Sequence, residues 1–118
     1  MSGNVKFDKW INDNGSENYK CRAWVNFSGT GTVAIRASGN VSSITDNGTG
    51  NYTVNFTAAM PDANYSFCLA NQQSSVSPTI ISQSSTTNPT TGSLRVACYV
   101  ADYSANFDPP FVSVSVFR

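Results

Sequence analysis

The stretch VSSITDNGTGNYTVNFTA at residues 41–58 decides the fold. In its second half Tyr52, Val54, Phe56 and Ala58 fall on one side of an extended chain, and Asn51, Thr53, Asn55 and Thr57 fall on the other. A period of two marks a half-buried β-strand, so the first set is expected in a core and the second as a polar ladder. Asn47-Gly48 between the apolar runs is a strong hairpin signal, because both residue types tolerate positive φ.

The same period extends outward in both directions. Upstream, Cys21, Ala23, Val25 and Phe27 alternate with Lys20, Arg22, Trp24 and Asn26. The turn SGTG at 28–31 then leads to Thr32–Ser38, where Val33, Ile35 and Ala37 are expected to share a face. Downstream, Tyr65, Phe67 and Leu69 alternate with Ser66, Cys68 and Ala70, and Thr79–Gln83 reads as a shorter strand. The segment SSTTNPTTG at 84–92 has no apolar side chain of core size and reads as a surface loop. Leu94, Val96, Cys98 and Val100 form another strand, and Val112, Val114 and Val116 a last one. About seven or eight short strands with no credible helix predict an all-β antiparallel β-sandwich with Greek-key or jelly-roll-like connections. Residues 1–18 read as an N-terminal arm or attachment segment, and 19–118 as a single sandwich domain.

Composition narrows the function. Of 118 residues only 12% are charged, with seven Lys and Arg against seven Asp and Glu, and neither sign is clustered. Such a chain offers no electrostatic footprint for nucleic acid, and no apolar run is long enough to insert in a membrane. The beginning MSGNVKFDKW lacks the apolar stretch of a secretory leader, so assembly in a cytoplasm is expected. Cys21, Cys68 and Cys98 are an odd number in apolar surroundings and are expected as free, buried core thiols; a Cys pair or a metal site is the alternative.

There is no histidine, the commonest general base and a frequent metal ligand, and the aspartates mostly sit beside Asn, Gly or Pro, as turn formers do. Neither a catalytic site nor a cofactor is expected. Seven Asn-x-Ser/Thr sequences, beginning at Asn14, Asn26, Asn40, Asn47, Asn51, Asn55 and Asn64, are read as the product of polar strand faces that alternate Asn with Thr, as in Asn51–Thr57, and not as glycan sites. The best candidate for binding is Asp102–Asp108, where Tyr103 and Phe107 offer aromatic faces beside Asp102 and Asn106, a chemistry suited to a sugar. The competing reading has Tyr103 and Phe107 capping the core at a crossover next to Pro109-Pro110.

The segment from Cys21 to Phe67, CRAWVNFSGTGTVAIRASGNVSSITDNGTGNYTVNFTAAMPDANYSF, resembles tail-fibre and related virion proteins of marine and cyanobacterial bacteriophages. The ending FVSVSVFR is similar to the C-terminus of the same proteins. The resemblance implies a tip domain of a virion appendage, located in the virion and binding a host surface glycan or protein. It also implies a homotrimer among other virion proteins, which suits the few charges available to guard strand edges. A shaft belongs ahead of such a tip, yet here the strand pattern begins by residue 20. A capsid cement or decoration protein, or a head or collar fibre with a purely structural role, is therefore the alternative.

Overall fold

The computed structural model describes residues 3–75, 77–102 and 104–118. Eight strands follow in chain order: β1 (Cys21–Ser28), β2 (Ala34–Gly39), β3 (Val41–Asp46), β4 (Asn51–Phe56), β5 (Ser66–Asn71), β6 (Thr79–Gln83), β7 (Ser93–Val100) and β8 (Val112–Phe117). They form two four-stranded sheets in the orders β2-β1-β8-β5 and β3-β4-β7-β6, every pair antiparallel. The fold is a β-sandwich. The chain changes sheet four times, and β8, the last strand, lies between β1 and β5.

The core is the sum of the inward-facing residues. Ala23, Val25 and Phe27 of β1 meet Tyr52, Val54 and Phe56 of β4, Leu94, Val96 and Cys98 of β7 and Val112, Val114 and Val116 of β8. Edge-to-face ring pairs run through it: Phe27 on Tyr52 at 5.2 Å between centroids, and Phe56 on Tyr65 at 5.8 Å. Such pairs add about 1 kcal/mol beyond the area they bury.

Several expectations are corrected. Cys98 is buried, but Cys21 and Cys68 are exposed, and all three are free. At Cys21 the cause is a register shift between Cys21 and Ala23, which breaks the alternation and pairs Cys21 with Phe117. Cys68 pairs with Ser115 on the outer face, opposite in sense to Phe67 and Leu69. β2 begins at Ala34 rather than Thr32 and is exposed from Ala34 to Ser38, so Ile35 and Ala37 do not build core. A bulge between Asn26 and Phe27 opposite Ile35 interrupts the pairing there. Ala58 lies beyond the end of β4 and is exposed, and Val100 is only half-buried.

The turn of the β3–β4 hairpin also differs from the two-residue form. Asn47 does not adopt positive φ; Gly48 and Gly50 do. Asn47 instead uses its side chain, donating from Nδ2 to Thr53 Oγ1 at 2.7 Å, while Asp46 Oδ1 accepts from the Gly48 N–H at 3.0 Å. In the 84–92 segment Ser84 is buried, its N–H donating to Arg95 O at 2.9 Å and its Oγ accepting from Thr86 N at 3.2 Å. A small hydroxyl with local partners can occupy a core margin that the apolar pattern does not reveal.

Because β8 is interior to its sheet and its three valines are buried, deleting residues 111–118 removes contacts worth roughly 1.5–3 kcal/mol per side chain and exposes both β1 and β5. The truncated chain is expected to be insoluble or to lack a cooperative melting transition, read by circular dichroism; a preserved melting temperature contradicts the topology. Thiol titration under native conditions should label Cys21 and Cys68 rapidly and Cys98 only on unfolding, giving two fast equivalents of three.

Candidate functional site

Antiparallel pairing sorts the connections to two ends of the sandwich. Loops 29–33, 47–50, 72–78 and 101–111 share one end. The arm at 3–20, the β2–β3 corner, and the connections 57–65 and 84–92 share the other. The binding candidates of the stretch Asp102–Asp108 fall within the connection 101–111.

That crossover is stitched to the sandwich. The Val100 N–H donates to Ala105 O at 2.9 Å, the Phe107 N–H to Cys98 O at 3.2 Å, and the Gly29 N–H to Pro109 O at 2.8 Å. Asp102 and Asn106 are exposed. Asp102 Oδ1 accepts from the Ser104 N–H at 2.9 Å, and the Ser104 hydroxyl and N–H together hold its carboxyl below the usual range. Asn106 forms an isolated bridge with Tyr99. Phe107 is half-buried and packs against the core, as the core-capping reading has it. Tyr103 lies outside the described residues. Among the described residues no three His, Cys, Asp or Glu side chains gather into a metal-ligating group.

The residue that organises this end is Asp108, which sequence reasoning treated as a turn former. Its Oδ1 accepts from the Tyr52 hydroxyl at 2.6 Å and from the Gly50 N–H at 2.7 Å. Tyr52 is fully buried, and its hydroxyl also lies 3.3 Å from Gly29 O. Gly50 has φ +67°, and a Cβ there would meet Phe107 O at 2.6 Å and Cys98 O closer still, so both conformation and space require glycine. Burial and then the Asp108 carboxylate push the Tyr52 phenol far above its ordinary value. Burial pushes Cys98 up to about 12 and Tyr65 to about 12. These groups are held neutral, which suits a structural clasp and not a nucleophile.

At the opposite end the arm leaves β1. Within it the Asn12 N–H donates to Ser16 O at 2.8 Å, and the Asn18 N–H to Trp10 O at 2.6 Å, closing a small hairpin around Gly15. Its apolar side chains remain in solvent: Val5 is 84% exposed, Trp10 57% and Ile11 51%, and Phe7 packs on Trp10 edge-on at 5.7 Å. The radius of gyration is 16.0 Å, where a compact chain of this length has about 13.5 Å, so mass projects beyond the sandwich.

Comparison with protein-family models, with curated proteins and with solved structures finds no match.

The signs of these shifts set an alkaline limit. Cys98, Tyr65 and Tyr52 are all raised on folding, so their contribution is complete below the ordinary values of 9.0 for the thiol and 10.0 for the phenols and erodes as pH climbs toward 12. Stability from denaturant melts should be flat from pH 7 to 9 and fall steadily above it. Tyr52→Phe should lower the melting temperature at pH 7 by several degrees, since Asp108 loses a donor, and should flatten part of the alkaline slope. An unchanged slope means that Tyr52 titrates normally in the folded protein.

Proposed function

We propose that this chain is a bacteriophage virion protein of the tail-fibre-tip kind. It is a non-enzymatic module that joins other virion proteins through its N-terminal segment, assembles as a homotrimer and binds the host surface. The observation that carries this reading is the division of the molecule into two ends. An apolar, projecting segment leaves one end, and the loops 101–111, 47–50 and 29–33 are presented at the other. A tip domain needs that polarity, with attachment behind and recognition in front. The resemblance over Cys21–Phe67 adds support, because these residues make up β1 to β4 and the start of β5, the scaffold itself and not an isolated loop.

The exposed arm also supports a second reading, a capsid cement or head or collar fibre protein, since Val5, Phe7, Trp10 and Ile11 fit any apolar seat on a particle. Immunogold labelling of virions separates the two. Label at tail or fibre ends is expected; label over the whole capsid favours the structural role; particles free of label overturn both.

Light scattering after size exclusion should give three times the 12.6 kDa of one chain. Phe7→Ser combined with Trp10→Ser should shift that mass toward the monomer without altering the melting temperature, because neither ring contributes to the sandwich core. An unchanged trimer would show that the arm is not the assembly contact.

A further inference from the structure

The outer face of sheet β2-β1-β8-β5 carries a shallow groove built by two cross-strand rows. Gly39, Trp24, Ser115 and Cys68 lie side by side in one, and Ala37, Asn26, Ser113 and Ala70 in the next. The residues lining the groove are short or uncharged, apart from one large ring. Trp24 is 44% exposed although it sits in the strand next to the sheet edge. Its position depends on Gly39, the residue directly opposite. A Cβ at 39 would come within 2.9 Å of the indole Cδ1 and closer to Nε1, so the ring lies across the bare glycine. The indole thus rests against the backbone at Gly39 while much of it stays open to solvent at the groove, a platform held in place by that contact.

The polar side chains that line the groove, Asn26, Ser113 and Ser115, are neutral, and Arg22, two residues before Trp24, donates from Nε to Arg118 O at 2.7 Å. Asn26 Oδ1 accepts from Arg36 Nη1 at 3.3 Å, which orients the amide and leaves Nδ2 as its remaining donor. Arg36, the nearby cation, is itself committed: Nη2 donates to Pro110 O at 2.6 Å, and the guanidinium lies 3.7 Å over the Phe111 ring. Ser113 and Ser115 add hydroxyls on the groove floor. Beyond them along β8 stand the exposed rings Phe111 and Phe117, six residues or about 20 Å apart.

We propose that this face binds a neutral oligosaccharide, with a pyranose ring stacked on Trp24 and sugar hydroxyls bonded to Asn26, Ser113 and Ser115. Sugars present an apolar C–H face and a rim of hydroxyls, and a fixed aromatic platform beside uncharged donors and acceptors complements both. An anionic glycan would find no free cation in the groove. A second copy of the chain is a poorer occupant, because a four-stranded face of this length covers roughly 400 Å², against about 800 Å² per partner in a stable interface. The inference rests on the host-binding reading for its biological setting and adds a glycan site on the side of the sandwich, apart from the end loops.

The test is affinity electrophoresis of the full chain in native gels containing dextran, mannan, galactomannan, xyloglucan or, as the anionic control, alginate. Retardation by at least one neutral polymer and not by alginate is expected. In a Trp10→Phe background, where Trp24 is the sole indole, its fluorescence should shift on binding. Trp24→Ala should weaken binding by about tenfold or more, and Trp24→Phe should keep part of it. Gly39→Ala, which lifts the indole off the sheet, should weaken binding while the chain stays folded. No retardation by any neutral polymer, or equal retardation of folded Trp24→Ala, overturns the inference; if Trp24→Ala does not fold, Trp24→Phe and Gly39→Ala decide. Host-cell adsorption that is blocked equally by wild type and by Trp24→Ala overturns the glycan site and leaves the host-binding reading standing. Trp24-dependent retardation by a chain found on no virion does the reverse.

Discussion

The Asp108 carboxylate fixes the geometry on which much of the sandwich depends. Tyr52 brings a phenol into the centre of an apolar core, and a hydroxyl there has to be hydrogen-bonded or it costs about 1–3 kcal/mol. Asp108 reaches in from the crossover between β7 and β8 and takes that hydrogen bond together with one from Gly50 on the β3–β4 turn. Three segments remote in sequence are thereby tied at one point. The crossover so fixed delivers Val112 opposite Phe27, which sets the register of β8 against β1 and, through β8, of β5.

The other end is held by different chemistry with the same logic. Asn40 adopts the left-handed conformation at φ 55°, where the chain turns from β2 to β3 and so from one sheet to the other. Its Nδ2 donates to Arg22 O at 3.0 Å and Ala58 O at 3.1 Å, and its Oδ1 accepts from the Ala58 N–H at 2.7 Å. Tyr65 donates its hydroxyl toward Thr90 O and Ser93 O, both at 2.9 Å. The Arg118–Asp62 pair, bidentate at 2.7 and 2.9 Å, is exposed and adds little by comparison. A chain with few charges thus closes both ends with amides, phenols and one half-buried carboxylate.

Those closing residues were the least legible part of the sequence, whereas the strands were the most. Alternation located most of the strands and the inward rows of β1, β4, β7 and β8, because a period of two is a local property of the chain, while β3 was placed by the hairpin signal at Asn47-Gly48 and β6 read only as a shorter strand. It carried no information about whether a strand's face is covered, and so β2 was expected to build core where it lies exposed. It was also blind to bulges: the extra residue between Cys21 and Ala23 moved a thiol from the expected interior to the surface. Asp108 looked like an ordinary turn residue and Asn40 like one more polar strand residue, since their partners are more than 50 and 18 residues away. Trp24 was legible as an outward residue of its strand, yet its role as a platform depends on Gly39 being its cross-strand neighbour, which only the register reveals.

The sheet edges show what the low charge entails. β2 and β5 bound one sheet, β3 and β6 the other, and across these four strands the only charged residues are Arg36 and Asp46. Neither stands guard: Arg36 is spent on Pro110 and Phe111, and Asp46 on the N–H of Gly48. The β2–β3 side is bent at Gly39-Asn40, where the chain passes between the sheets, and a bent edge is a poor template for pairing. The β5–β6 side has no such bend within its strands, and SFCLAN and TIISQ contain neither charge nor proline. Backbone groups on an unguarded edge pair with whatever extended chain is at hand, so a protein that stays soluble with such an edge keeps it short or keeps it covered. At six and five residues, β5 and β6 are close to ordinary strand length and are not short enough to be self-protecting. Cover from outside the domain is the remaining device, and the edge chemistry is thus in keeping with the assembly proposed above for the exposed arm.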